Sequence, residues 1–288
     1  MKKKIIWHLG FRKTGTTSIQ YLLDHLPAES HPDLFVSPRD HLTRAWRQLI
    51  VAATTTRTRP DLTKVRAEIA KVAAELRAAP QNTILVSDEN LFAFSLFAPD
   101  GSHFFDWAAE VLPLIEAEFP DFENVFFAYT RPLENWLKSS YSQEVKRGRT
   151  WRTYETWRKQ VPESCNWTDG LATIRAAIRS PLVMIKQTDD LDQGLPLGAG
   201  LLEFAGIPRA DVVKLGPAPR LNEGLSSTTM RMFRLFNFIG LNGFIRSVVK
   251  RRFRARELSR YREEALAADA RTKQLGAADE AKLKKTEK

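Results

Sequence analysis

The chain reads as an α/β protein, with a central parallel sheet flanked by helices in three layers. Three observations predict this. Short apolar runs rich in β-branched and aromatic residues (KIIWHL, TILVS, ENVFFAYT and PLVMIK) recur along the first two thirds of the sequence. Between them lie longer stretches in which apolar residues return every three or four positions, and strands alternating with helices imply parallel pairing with both sheet faces covered. The chain is also long enough, at 288 residues with 43% hydrophobic content, to bury a core without disulfides, and its one cysteine, Cys165, could form none within the chain.

Taken in order, Lys3–Leu9 is a short buried strand, and Thr16–Leu26 a helix with Ile19, Leu22, Leu23 and Leu26 on one face. Helical periodicity returns over Leu42–Ala53 and Leu62–Ala78. Thr83–Ser87 is a second strand, bounded by Pro80 before it and by Asp88 and Glu89 after it. Phe104–Phe119 is helical, and ENVFFAYT, ending at Thr130, is a third strand. A helix from Pro132 to about Arg147 follows, with proline in the first turn, where its missing N–H costs nothing. Leu171–Ile178 is helical and Pro181–Lys186 a fourth strand. The expected organisation is one α/β domain over residues 1–243 and a basic helical extension over 244–288, whose end, GAADEAKLKKTEK, is polar enough to fray.

The net charge of +10 is uneven: Arg246–Lys288 holds 14 Lys and Arg against 7 Asp and Glu, so the body is nearly balanced. A basic tail suits nucleic acid, an anionic membrane or simply solvent. Without a recognition motif or an alternating basic and aromatic pattern, nucleic acid is set aside. FNFIGLNGFIRSVVKRRFRAR, apolar and then polybasic, suits peripheral contact with an anionic inner leaflet. The apolar start of MKKKIIWHLG is broken at once by His8, Gly10, Arg12 and Lys13, too early for a signal peptide. No apolar run has the length of a membrane span. A cytoplasmic protein is expected.

The chemistry should lie beyond the carboxyl ends of the strands. There HLGFRKTGTTS joins the first strand to the first helix. A glycine-bearing loop leading into a helix N-terminus offers backbone N–H groups and a positive dipole end, which suit an anion. Gly15 permits close approach, Lys13 brings a point charge, and Thr16, Thr17 and Ser18 bring hydroxyls. The triphosphate loop G-x-x-x-x-G-K-[ST] places lysine after its second glycine. Here lysine comes first, as Lys13-Thr14-Gly15-Thr16-Thr17.

That order resembles the loop of sulfotransferases that use 3′-phosphoadenosine 5′-phosphosulfate, especially bacterial carbohydrate-type members. The second motif of that family, an arginine at a strand end and a serine eight residues on, is matched in TRPLENWLKSSY by Arg131 and Ser139. A helix starting at Pro132 brings Ser139 round two turns later, about 10 Å along the axis. The resemblance implies a P-loop-type fold, with Arg12, Lys13, Thr14, Gly15, Thr16, Thr17 and Ser18 around the 5′-phosphosulfate and Arg131 and Ser139 on the 3′-phosphate. It implies Lys13 as the catalytic cation and a scheme that requires no metal. The base is expected to be Glu89, which stands in the S-x-E pattern of similar bacterial proteins, ahead of Asp88, His8 and His103; the other reading of Glu89 is a helix cap or an ion-pair partner.

The implied acceptor is a hydroxyl on a carbohydrate or glycolipid. SQEVKRGRTWRTYETWRK mixes cations with flat aromatics, and Tyr141, Lys146, Arg147 and Trp151 are candidate acceptor contacts. Arg220 and Asn222, in PRLNEGLSS, are further candidates for closing over cofactor or acceptor. The lysine–glycine phosphate loop of the family's small-molecule members is missing there. The adenine stack is unassigned, because Ser18 stands where some relatives have tryptophan. The competing readings are a P-loop nucleotide-dependent kinase and a non-catalytic nucleotide-binding protein of the same fold.

Overall fold

The structure is a computed structural model that describes residues 2–39, 41–56, 58–93, 95–216, 226–240 and 248. The extension from 244 onward, apart from residue 248, and both Arg220 and Asn222 lie outside the described residues. By internal contacts the chain forms two units. The larger comprises Met1–Arg147 and Arg152–Leu225; to the smaller belong Gly148–Trp151 and the described residues from Ser226 on.

The larger unit is built on a five-stranded, wholly parallel sheet. In chain order its first half runs β1 (Lys4–Gly10), α1 (Thr16–Asp24), β2 (Leu34–Ser37), α2 (Arg44–Thr55), α3 (Leu62–Ala78), β3 (Thr83–Glu89) and α4 (Phe104–Glu118). The second half runs β4 (Glu123–Thr130), α5 (Leu133–Lys146), α6 (Tyr154–Arg158), α7 (Trp167–Ala177), β5 (Leu182–Lys186), α8 (Gln187–Leu191), α9 (Ala199–Phe204) and α10 (Arg209–Lys214). The smaller unit contains α11 (Ser227–Phe238). The strand order β2-β3-β1-β4-β5 makes β1 the switch point, flanked by β3 on one side and β4 on the other. Loops after β1, β3 and β4 therefore converge at one end of the sheet, where such folds take ligands.

The four strands expected from the sequence are present; β2 is an addition. At the sheet edge, between Pro32 and Pro38, its Leu34, Phe35 and Val36 are half-buried and Ser37 is buried. Side chains along β1 point alternately to the two faces of the sheet. Ile6 faces a cluster of Ile19, Leu22 and Leu23 from α1 with Leu85, Phe127, Leu201 and Leu202. Trp7 faces the other way, edge-on to Trp46 of α2 at 6.3 Å and to Phe119 at 5.0 Å. Such aromatic pairs contribute about 0.5–1.5 kcal/mol each beyond the area they bury.

Side-chain caps fix several helix starts. Asp61 accepts from the Thr63 and Lys64 N–H groups at α3, and Asn166 from that of Asp169 at α7. At α4 the Asp106 carboxylate accepts from the His103 N–H at 2.9 Å. Gly170 lets α7 meet α4: a methyl there would come within 2.2 Å of the Phe105 ring. Under β4 and β5, buried Asp190 takes a hydrogen bond from Tyr129 Oη at 2.8 Å and the N–H groups of Gly198 and Gly200, which ties the α8–α9 connection to the sheet. No helix among the described residues is long and apolar enough to cross a membrane.

Candidate functional site

The loop after β1 is shaped by its own backbone. Lys13 and Gly15 both have left-handed φ, +64° and +88°, and Gly15 is the N-cap of α1. For lysine this conformation is uncommon and is held by the surroundings. Thr14 turns inward and donates to the Phe11 carbonyl at 2.6 Å, closing the turn. Gly15 is needed twice over, for its φ and because a methyl would fall 2.2 Å from Leu197 Cδ2. Thr16 is buried, Ser18 half-buried and Thr17 exposed, so the hydroxyls of the first turn differ in access.

One side of α5 holds this loop. Trp136 Nε1 donates to the Arg12 carbonyl at 2.8 Å, and Glu144 makes a buried ion pair with Arg12 at 3.0 Å. Gln143 accepts from Lys13 Nζ at 3.2 Å. The Arg12 guanidinium therefore braces the loop from beneath while Lys13 lies along its rim. Arg131, just after β4, donates through Nη1 to the Lys13 carbonyl at 3.0 Å. Its Nε is buried with no hydrogen-bond partner among the described residues. Burial lowers the Arg131 pKa, yet a guanidinium stays charged, so this unpaired donor beside the loop favours an anion. Ser139 is half-buried on the same side of α5 as Gln143, one turn earlier; Ser140 is wholly buried.

Lys13 itself is electrostatically tense. Burial, followed by the charges of Arg12 and Lys146, brings its pKa down to about 8, with Glu89 opposing and Arg147 adding the smallest push. Glu89 ends β3 opposite Gly10 of β1 and forms an ion pair with Arg39 at 3.0 Å, its side chain 25% exposed. Asp88 points to the other sheet face, where Thr43 donates to it and Arg47 lies 3.4 Å away. Burial raises its pKa to about 6.

Behind the loop runs a buried polar chain. His8 Nδ1 lies 2.7 Å from Ser87 Oγ, and burial pushes the His8 pKa down to about 3, which keeps the ring neutral. Gln20 of α1 donates to the Ser87 hydroxyl and carbonyl and accepts from the Arg39 N–H at 2.9 Å. Loop helix, β3 end and the Arg39 partner of Glu89 are thereby joined. His103 Nε2 is within 2.9 Å of Ser164 Oγ, at the α4 cap.

Lys13, Glu89, Arg131, Lys146 and Arg147 are thus brought to one end of the sheet. Tyr141 is buried, packs against Tyr154 and Trp157, and donates to the Arg152 carbonyl. Trp151 belongs to the smaller unit, where its ring meets Phe238 at 5.1 Å. Gln143 was not singled out in the sequence, although its place four residues after Ser139 was a usable signal. Gln20 and Arg39 carry no such mark, being an ordinary helix residue and a loop cation.

No protein-family model matches the chain, and no curated protein matches it. Among solved structures it is similar to an unliganded sugar kinase of Janibacter sp. HTCC2649, at 13% identity, TM-score 0.36, covering 73% of this chain and 98% of that one. Kti12 of Chaetomium thermophilum, in complex with ADP-AlF3, aligns at 16% identity and TM-score 0.32 over 66% of this chain and 92% of its own. A retinol dehydratase in complex with androsterone and inactive cofactor PAP aligns at 10% identity and TM-score 0.23, over 82% and 65% respectively. Scores this low leave function to be argued from the chain's own residues.

Proposed function

We propose that the chain is a sulfotransferase that moves a sulfuryl group from 3′-phosphoadenosine 5′-phosphosulfate to a hydroxyl of a carbohydrate or glycolipid. The observation that carries this reading is the 3.0 Å hydrogen bond from Arg131 Nη1 to the Lys13 carbonyl. Two motifs more than a hundred residues apart, one read as a 5′-phosphosulfate loop and the other as a 3′-phosphate clamp, become a single surface through it. The unpaired Nε of Arg131 fits an anionic group there, and the left-handed turn at Lys13 and Gly15 fits a loop that wraps one.

When bound, the donor supplies a sulfuryl group joined by an S–O bond to an already ionised leaving group. The acceptor oxygen forms the new S–O bond as that bond breaks, its electron pair departing with adenosine 3′,5′-bisphosphate. Lys13 stabilises charge on the sulfuryl and bridging oxygens, and Gln143 orients its ammonium. Glu89 takes the acceptor proton, with Arg39 holding the carboxylate in place until then. Arg131 and Ser139 anchor the 3′-phosphate, and Arg12 acts through the loop backbone that it braces against Glu144.

Calorimetric titration tests the reading. Adenosine 3′,5′-bisphosphate is expected to bind without added metal and to lose at least about tenfold in affinity on Arg131→Ala, since a charge-assisted hydrogen bond contributes about 1.5–3 kcal/mol. Tighter binding of magnesium-ATP than of the bisphosphate contradicts it and favours a kinase.

A further inference from the structure

We propose that the smaller unit docks on an anionic lipid surface, through an apolar stripe on α11 that Trp151 extends. The proposal does not depend on the sulfuryl-transfer reading.

The stripe follows from helical spacing. Met232, Leu235, Phe238 and Ile239 return every three or four positions and are 43–63% exposed, whereas Phe233 is buried and Met230 and Asn237 are half-buried. Residues at such spacing share one side of a helix, so α11 buries one side and leaves a second, apolar side open. Two hydrogen bonds hold the Trp151 segment to the same helix: Arg234 Nε donates to the Trp151 carbonyl at 3.0 Å, and Asn237 Nδ2 to that of Thr150 at 2.8 Å. The Trp151 ring, 49% exposed, meets Phe238 edge-on at 5.1 Å. Helix and indole therefore present one surface.

Charge selects the occupant. The described residues of the smaller unit include Arg149, Arg231 and Arg234 and no carboxylate, and Arg231 is exposed, one turn before Leu235. The sequence that follows keeps the sign: residues 246–260 contain seven Lys and Arg against one Glu. Whatever covers the stripe must be apolar and negatively charged together, and an anionic bilayer supplies both, as acyl chains beneath anionic headgroups. A second copy would set arginine against arginine, and the basic sequence after α11 brings the same sign. An acidic protein would meet the charge, but an exposed indole beside apolar side chains suits lipid, because its ring seats at the headgroup level.

The test is co-sedimentation of the full chain with vesicles of phosphatidylcholine alone, and of phosphatidylcholine with about 30 mol % phosphatidylglycerol. Partition onto the anionic vesicles should exceed that onto the neutral ones at least about tenfold, and the excess should shrink as salt rises. Leu235→Ser combined with Phe238→Ser keeps every cation and should cut partition onto the anionic vesicles at least about tenfold, with the melting temperature unchanged. Brominated acyl chains give a second reading on the unsubstituted chain. Five of the seven tryptophans are buried and Trp167 is half-buried, so quenching by bromine reports on Trp151. Fluorescence should fall on brominated anionic vesicles, and Trp151→Phe should remove the fall. Absent binding to anionic vesicles overturns the proposal and leaves the stripe to a protein. Partition undiminished in the double variant overturns it as well, since the basic sequence alone would then hold the lipid, and so does partition without quenching. Dimers that the double variant dissociates, with no vesicle binding, assign the stripe to a second copy and overturn it too.

Discussion

Binding of adenosine 3′,5′-bisphosphate should draw a proton onto Lys13, in an amount that follows from the site. Burial and three neighbouring cations lower this lysine from 10.5 to about 8. A phosphate seated against Nζ favours the charged form and returns the group toward its ordinary range. With a free-state pKa of about 8, the neutral fraction that binding must protonate is about 0.1 at pH 7, about 0.5 at pH 8 and about 0.9 at pH 9. Competing groups titrate lower: the second ionisation of a phosphate monoester falls near pH 6. Asp88, raised to about 6, also lies below this window. Calorimetry at each pH, repeated in buffers of different ionisation enthalpy, counts the protons. Uptake should climb with pH as given, and Lys13→Met should abolish the climb. Uptake that stays flat from pH 7 to 9, or persists in Lys13→Met, refutes the placement of the anion on Lys13.

Three further outcomes are expected. Gly15→Ala forces an L-residue to φ +88° and a methyl against Leu197, so urea unfolding should show a loss of at least about 2 kcal/mol, together with weakened bisphosphate binding. Glu144→Ala leaves Arg12 buried beside the loop without its carboxylate and should cost about 3–5 kcal/mol in the same assay, whereas a surface pair such as Lys138 with Glu134 should cost under about 1 kcal/mol. Asp88 has a folded pKa of about 6, above its ordinary value, so the native state holds more protons than the unfolded one between pH 4 and 6 and this residue makes stability fall as pH rises through that window. Asp88→Asn should flatten that part of the profile, by at most about 3 kcal/mol.

The inner strands were legible because each is an apolar run between turn residues, and the loop after β1 because glycine, lysine and hydroxyls stand between strand and helix. Strand β2 was missed although its run Leu34–Val36 is as long as Ile84–Val86 of β3: it is a four-residue edge strand set between Pro32 and Pro38, and the prolines read as loop. Of the candidate site, the sequence marked residues local to a motif, Lys13, Gly15 and Arg131, and the structure places Arg131 against the Lys13 carbonyl. Long-range pairings were not legible. Sequence order gives no sign that the Arg12 guanidinium is paired with Glu144, that Arg39 reaches Glu89, or that Gln20 bridges Ser87 and Arg39. Those contacts depend on which helix face meets which strand end, a consequence of the strand order β2-β3-β1-β4-β5. The candidate acceptor contacts show the opposite error of scale: ten positions apart and grouped by the sequence, Tyr141 is a buried residue of α5 and Trp151 a residue of the smaller unit.

Transfer of labelled sulfate tests the central claim most directly. The purified chain is incubated with sulfur-35-labelled 3′-phosphoadenosine 5′-phosphosulfate and a total extract of cell glycans and lipids, and in parallel with γ-phosphorus-32-labelled ATP and magnesium. Sulfur label should pass to a glycan or glycolipid fraction without added metal, and Lys13→Met and Arg131→Ala should each abolish it. Phosphorus label transferred in place of sulfur, or sulfur transfer undiminished in both variants, contradicts the account.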